Sequence, residues 1–219
     1  MLTLPLTRTG YEAVERGKKT SCTMLLRIPH KASNHLVEQV TRSGRSFIAY
    51  ENGIPCPVRP AYEPNQLVGI CEPVVHDAEL GRVYVWDYDD GECPCNVVTY
   101  LQWMKPRDAR LLIMVESVRA MRLSDITEEM ALDEGVWLND NGLYSFEHRA
   151  GVVSEQPTAA GAFIEAFIKG YKLSPKNHWV WNYTFKLVKN LKHTEHETEI
   201  WTGDQATRFE PDAHFGILV

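Results

Sequence analysis

The segment Trp179-Val180-Trp181-Asn182-Tyr183-Thr184-Phe185-Lys186-Leu187 is aromatic, β-branched and nearly alternating, which predicts a strand that the core must cover. Leu111-Leu112-Ile113-Met114-Val115, followed by Val118, predicts a second core strand, and Val83-Tyr84-Val85-Trp86 before the turn cluster Asp87 to Gly91 predicts a third. Helices are signalled between and around them. Thr127 is a cap-type residue followed by Glu128 and Glu129, and Gly135 supplies a stop. From Thr158 to Gly170, the residues Ala162, Phe163, Ala166 and Phe167 fall on one helical face. Tyr11 to Arg16 reads as a short helix closed by Gly17, with Lys18 and Lys19 in the loop that follows. The expected class is α+β.

At 219 residues, the chain suits one elaborated domain better than two. Residues 21–50 predict two or three strands with loops, and Pro55, Pro57, Pro60 and Pro64 predict an extended, linker-like connection. Residues 193–219 are acidic and weakly periodic, with six acids against Arg208, and read as an appended extension. There is no internal repeat. No apolar run approaches the ~18 residues of a membrane span, and the first residues lack the pattern of a secretory signal. Five cysteines at low density fit a reducing cytoplasm, so the expectation is unpaired thiols and a cytoplasmic protein.

The formal charge of −6 argues against broad, salt-driven binding to nucleic acid. Charge is unevenly placed, however. Residues 1–50 carry eight Lys or Arg against Glu12, Glu15 and Glu38, so a local anionic ligand there is compatible with the sequence.

Three blocks carry a resemblance. Gly17-Lys18-Lys19-Thr20-Ser21-Cys22-Thr23-Met24 follows a short helix; Met104-Lys105-Pro106-Arg107-Asp108-Ala109-Arg110 leads into a strand; and Val118 to Val136 runs strand, Asp-Ile-Thr-Glu-Glu, then Ala-Leu-Asp-Glu-Gly. With the closing Trp-Val-Trp strand, they resemble in content and order the ASCH domain of the PUA-like superfamily, in particular its bacteriophage-encoded members. The resemblance implies a small PUA-like β-barrel with flanking short helices over residues 1–190, a divergent insertion at about 31–100, and an acidic C-terminal extension at 191–219. It departs from the family at Cys22, where a threonine is usual, and at Met24, where an arginine is usual.

What the resemblance implies about function is recognition of RNA or a modified nucleoside in a barrel cleft, without a cofactor. Amidohydrolase members remove the acyl group from acetylcytidine through a lysine, a threonine and a helix glutamate, which fall here on Lys19, Cys22 and Glu134. The chemistry is coherent: a partly desolvated lysine serves as base, a hydroxyl or thiol attacks the acyl carbon, and a carboxyl returns a proton to the leaving amine. Thr20, Thr23, Arg107 and Arg110 would contact the ligand. A ribonuclease is the related alternative. A third reading is a module that binds a host protein through the acidic extension and the divergent region.

Plainer readings stand beside these. Lys19 would be a solvated loop cation beyond a helix end. Glu134 would be a surface carboxylate, although an acid in the last turn opposes the helix dipole and points to a partner such as Lys19. Cys22 would be a small buried hydrophobe. Cys93-Pro94-Cys95 with His193 and His196 lacks a second spaced pair, so no metal site is expected. Trp103, Trp137, Trp179 and Trp181 could stack a base, but aromatics in strands are more often core.

Overall fold

The computed structural model describes residues 2–28, 37–44, 46–77, 81–84, 86, 102–103, 109–148, 151–174 and 178–190. In chain order the elements are β1 (Leu2–Pro5), α1 (Arg8–Glu15), β2 (Ser21–Leu25), β3 (Gln39–Ser43), β4 (Ser46–Glu51), β5 (Ile54–Val58), β6 (Leu67–Cys71), β7 (Pro73–Asp77), β8 (Gly81–Tyr84), β9 (Gln102–Trp103), β10 (Leu111–Arg122), α2 (Glu128–Asp133), β11 (Trp137–Leu138), β12 (Tyr144–His148), β13 (Val152–Gln156), α3 (Ala159–Gly170) and β14 (Trp179–Asn190). Among the described residues the fold is mixed α+β, mostly strands with three α-helices.

The centre is a five-stranded sheet in the order β1-β6-β10-β14-β2. Strand β14 pairs antiparallel with β10 along almost its whole length and with β2 on its other side. Register shifts after Leu112 and after Val115 mark bulges in β10, and ahead of the second the strand also pairs with β6. The near alternation of β14 now has a cause. Trp181, Tyr183 and Phe185 enter one core with Tyr11 and Val14 of α1, while Val180 enters a second core with Phe163, Ala166 and Phe167 of α3. A strand covered on both faces cannot alternate strictly between apolar and polar.

Three smaller sheets surround this centre: β3-β4-β5, β8-β7-β9 and β11-β12-β13. The expected barrel differs from what is observed. Among the described residues no closed barrel forms, because the central sheet ends in β1 and β2 and the remaining strands pair among themselves. The proline-rich connection also differs. Ile54–Val58 is a strand, with Pro55 and Pro57 paired opposite Tyr50 and Ile48. It tolerates them because it is the edge of its sheet, where a missing N–H faces no neighbour.

The predicted helices are all present. Thr7, Thr127 and Thr158 each cap one, their hydroxyls accepting from the N–H groups of Gly10, Met130 and Gly161. No helix among the described residues is long and apolar enough to cross a membrane. The expected acidic extension, 191–219, lies outside the described residues, as do Cys93, Cys95, Arg107, His193 and His196.

Candidate functional site

The loop after α1 is fixed by its backbone before any side chain acts. Gly17 takes φ +67°, a left-handed value that suits glycine, and the N–H groups of Lys18 and Lys19 both donate to the carbonyl of Ala13. Thr20 N–H donates to the carbonyl of Asp133 at the end of α2, and Thr20 accepts from Phe185 N–H of β14. The loop is therefore clamped between α2 and the central sheet, and Lys19 is held against the C-terminus of α2.

There Lys19 is 4% exposed and Glu134 3% exposed. The ammonium donates to Glu134 Oε2 at 2.9 Å and also to the main-chain carbonyl of Glu134. That carbonyl lies at the negative end of the helix, so the cation answers both the carboxylate and the dipole. The solvated-cation reading of Lys19 is thereby excluded. Phe146 of β12 lies 6.0 Å from the ammonium. Glu134 Oε1 is buried and has no hydrogen-bond partner among the described residues, a condition that folded proteins seldom leave without a purpose.

The pair borders a cleft with about 60 Å³ open to the centres of water-sized molecules, room for several waters. Cys22, Thr23, Trp137, Phe146 and His148 line the same cleft. It sits where the two cores meet, between the start of α1, the start of β2, the end of α2, β12 and α3. Cys22 packs with the core on the α1 side of the sheet, opposite Tyr183 in register. Thr23, one residue on, accepts from Asn182 Nδ2 at 3.1 Å, and Asn182 in turn accepts from Arg119.

Sequence reasoning named Lys19, Cys22, Thr23 and Glu134, and the structure brings these four to one cleft. Thr20 contributes main-chain bonds and is not among the lining residues. Arg110 is elsewhere. Its guanidinium is bound to both oxygens of Glu72, which is 0% exposed, and stacks 3.8 Å from the centre of the Tyr84 ring. Tyr11 completes that group by donating to Glu72 Oε1 at 3.1 Å. Burial, reinforced by the Glu72 charge, pushes the Tyr11 phenol far above its usual range.

His148 is among the lining residues that sequence reasoning missed. It is buried, edge-on to Phe167 and Tyr171 at 5.5 and 5.0 Å between ring centres. A Cβ on Gly170 would stand 2.1 Å from His148 Nδ1, so the last residue of α3 has to be glycine for the imidazole to lie where it does. The signal was present as Gly170, which in the sequence only bounds the predicted helix.

Among the described residues no three His, Cys, Asp or Glu side chains group as metal ligands. No family model matches the chain, and no curated protein or solved structure matches it either.

Proposed function

We propose that this chain is an ASCH-type protein of the PUA-like superfamily, akin to the phage-encoded members, that recognises a nucleobase of a nucleoside or of single-stranded RNA in the Lys19–Glu134 cleft. One observation carries the reading: a buried carboxylate, paired through one oxygen to a buried lysine, keeps its other oxygen uncommitted beside a cleft. A concave site with a few convergent polar groups on an aromatic and aliphatic wall is the usual form of a small-molecule site. An oxygen acceptor beside an ammonium suits the mixed donor and acceptor edge of a base.

Hydrolysis of an acylated cytidine is the second reading, favoured by Cys22, which lines the same cleft as the pair. In that chemistry the thiol proton passes to the Lys19–Glu134 pair as the Cys22 sulfur bonds to the acyl carbon, the carbon–nitrogen bond breaks, and the amine leaves with a proton returned by the pair. Water then frees the acid from the thioester.

The test is calorimetric titration of cytidine and N4-acetylcytidine, with free acetate measured in parallel. The control is the double variant Lys19→Met/Glu134→Leu, which removes both charges together. Saturable binding that the double variant loses supports recognition, and acetate release that Cys22→Ala abolishes supports hydrolysis. Absence of binding by any of the ribonucleosides, acetylated or not, to wild-type protein would overturn both.

A further inference from the structure

We infer that Trp137 is the stacking wall of this cleft and that the Lys19–Glu134 pair reads the edge of the stacked ring. The inference rests on the nucleobase reading above and gives it a geometry. Trp137 follows Glu134 by three residues; between them Gly135, at φ +92°, turns the chain from α2 into β11. Indole and carboxylate thus leave one short, rigid piece of backbone, and both line the cleft.

Three other indoles are occupied. Trp181 is 4% exposed and meets Phe47 edge-on at 4.8 Å; Trp179 lies under the Arg122 guanidinium at 4.7 Å; Trp86 meets Tyr11 at 5.2 Å. Trp137 is 38% exposed, and among the described residues no ring or cation covers it. An uncovered indole that lines a cleft is a surface on which any base can lie, because every base has a π-face.

The polar end of the cleft says which edge that base presents. A lysine ammonium has three donors, and Lys19 directs bonds only to the carbonyl and Oε2 of Glu134 among the described residues, leaving one donor. Glu134 Oε1 leaves one acceptor. A donor and an acceptor on one ion pair complement an acceptor next to an N–H group on the ligand, as in N3 and the 4-amino group of cytosine. A simple amide offers that edge too, but it has no ring for Trp137 to cover. A base inside a duplex offers neither its face nor this edge, so the ligand is a free nucleoside or an unpaired base.

The experiment is titration of wild-type protein, Trp137→Ala and Trp137→Phe with cytidine and with single-stranded oligocytidylate, followed by calorimetry and by tryptophan fluorescence. Trp137→Ala is expected to weaken binding at least about fivefold, the lower end of what one stacked base contributes, while Trp137→Phe keeps most of the affinity. Trp137→Phe should also remove the fluorescence change on binding, a readout that loss of packing would not give. Tighter binding of the oligomer than of cytidine assigns RNA as the source of the base, and equal binding assigns the nucleoside. If Trp137→Ala binds within roughly twofold of wild type while Lys19→Met/Glu134→Leu does not bind, stacking is overturned and the cleft stands. If wild-type protein binds no ribonucleoside and no oligomer, the nucleobase reading fails and this inference falls with it.

Discussion

Glu134 stands at the C-terminal end of α2 with the Lys19 ammonium on its carboxylate. An acid in the last turn of α2 opposes the helix dipole, and that misfit alone was reason to expect a cation nearby. The sequence could not say that both would be almost fully buried, because burial depends on α1, α2 and β12 meeting around them. Burial sets the energetics. Lys19→Ala leaves an uncompensated carboxylate and is expected to cost about 3–5 kcal/mol, whereas Lys19→Met/Glu134→Leu removes both charges and is expected to unfold within about 1 kcal/mol of wild type or above it. Chemical denaturation of the three proteins checks this. The double variant being the more stable while failing to bind cytidine would mark the pair as kept for recognition rather than for stability.

At the scale of elements, the three helices and strands β10 and β14 were legible because their signals are local. The capping threonines, the stop at Gly17 and the aromatic stripe of β14 each lie within a few residues of what they specify. Strands β1, β5, β6, β7 and β11 to β13 were not read from the sequence, and β1 and β5 show why. Leu2–Pro5 is too short to show a period, and its parallel partner, β6, is more than sixty residues away; β5 is disguised by its prolines, which only an edge tolerates. Two predictions belong to α3. In a helix, Gly170→Ala should gain about 0.5–1 kcal/mol from propensity, yet the added Cβ meets the buried His148 ring. The expected outcome is a lower melting temperature and weaker nucleoside binding, measured by thermal unfolding and titration. The second concerns Glu165, which ties α3 to β13. The Lys169 ammonium, with the Ser154 hydroxyl and the Gln156 amide also donating, holds its carboxyl down from an ordinary 4.5 to about 2. The unfolded chain therefore binds the proton first as pH falls, so this contribution is complete above about pH 4.5 and disappears as pH drops toward 2. Wild type should be more stable than Glu165→Gln at pH 7, and the gap should close between those limits in melting curves taken across the range.

At the scale of the whole molecule, the central sheet separates two large cores, and two ion pairs differ in where they stand relative to them. Arg110–Glu72 lies on the α1 side, saturated by Tyr11 and covered by Tyr84. Lys19–Glu134 lies where the cores meet, beside open space and with an acceptor to spare. Local signals do not tell these apart: Arg110 and Lys19 each stand in a short basic block ahead of a strand, and an arginine before a strand looks equally suited to a ligand or to a carboxylate. What separates them is long-range. Glu72, at the end of β6, is brought to Arg110 by the pairing of β6 with β10, whereas Lys19 meets Glu134 through the clamp of Thr20 on Asp133. The two pairs should therefore answer differently to the same operation. Arg110→Met strands Glu72, which is 0% exposed, and removes the group that joins α1 to two strands, at an expected cost of roughly 3–5 kcal/mol. Because Arg110 does not line the cleft, cytidine affinity measured below the unfolding transition should remain at the wild-type value. A fall in affinity as large as that of Lys19→Met/Glu134→Leu, in protein shown by circular dichroism to be folded, would instead join the two pairs into one site extending across the sheet.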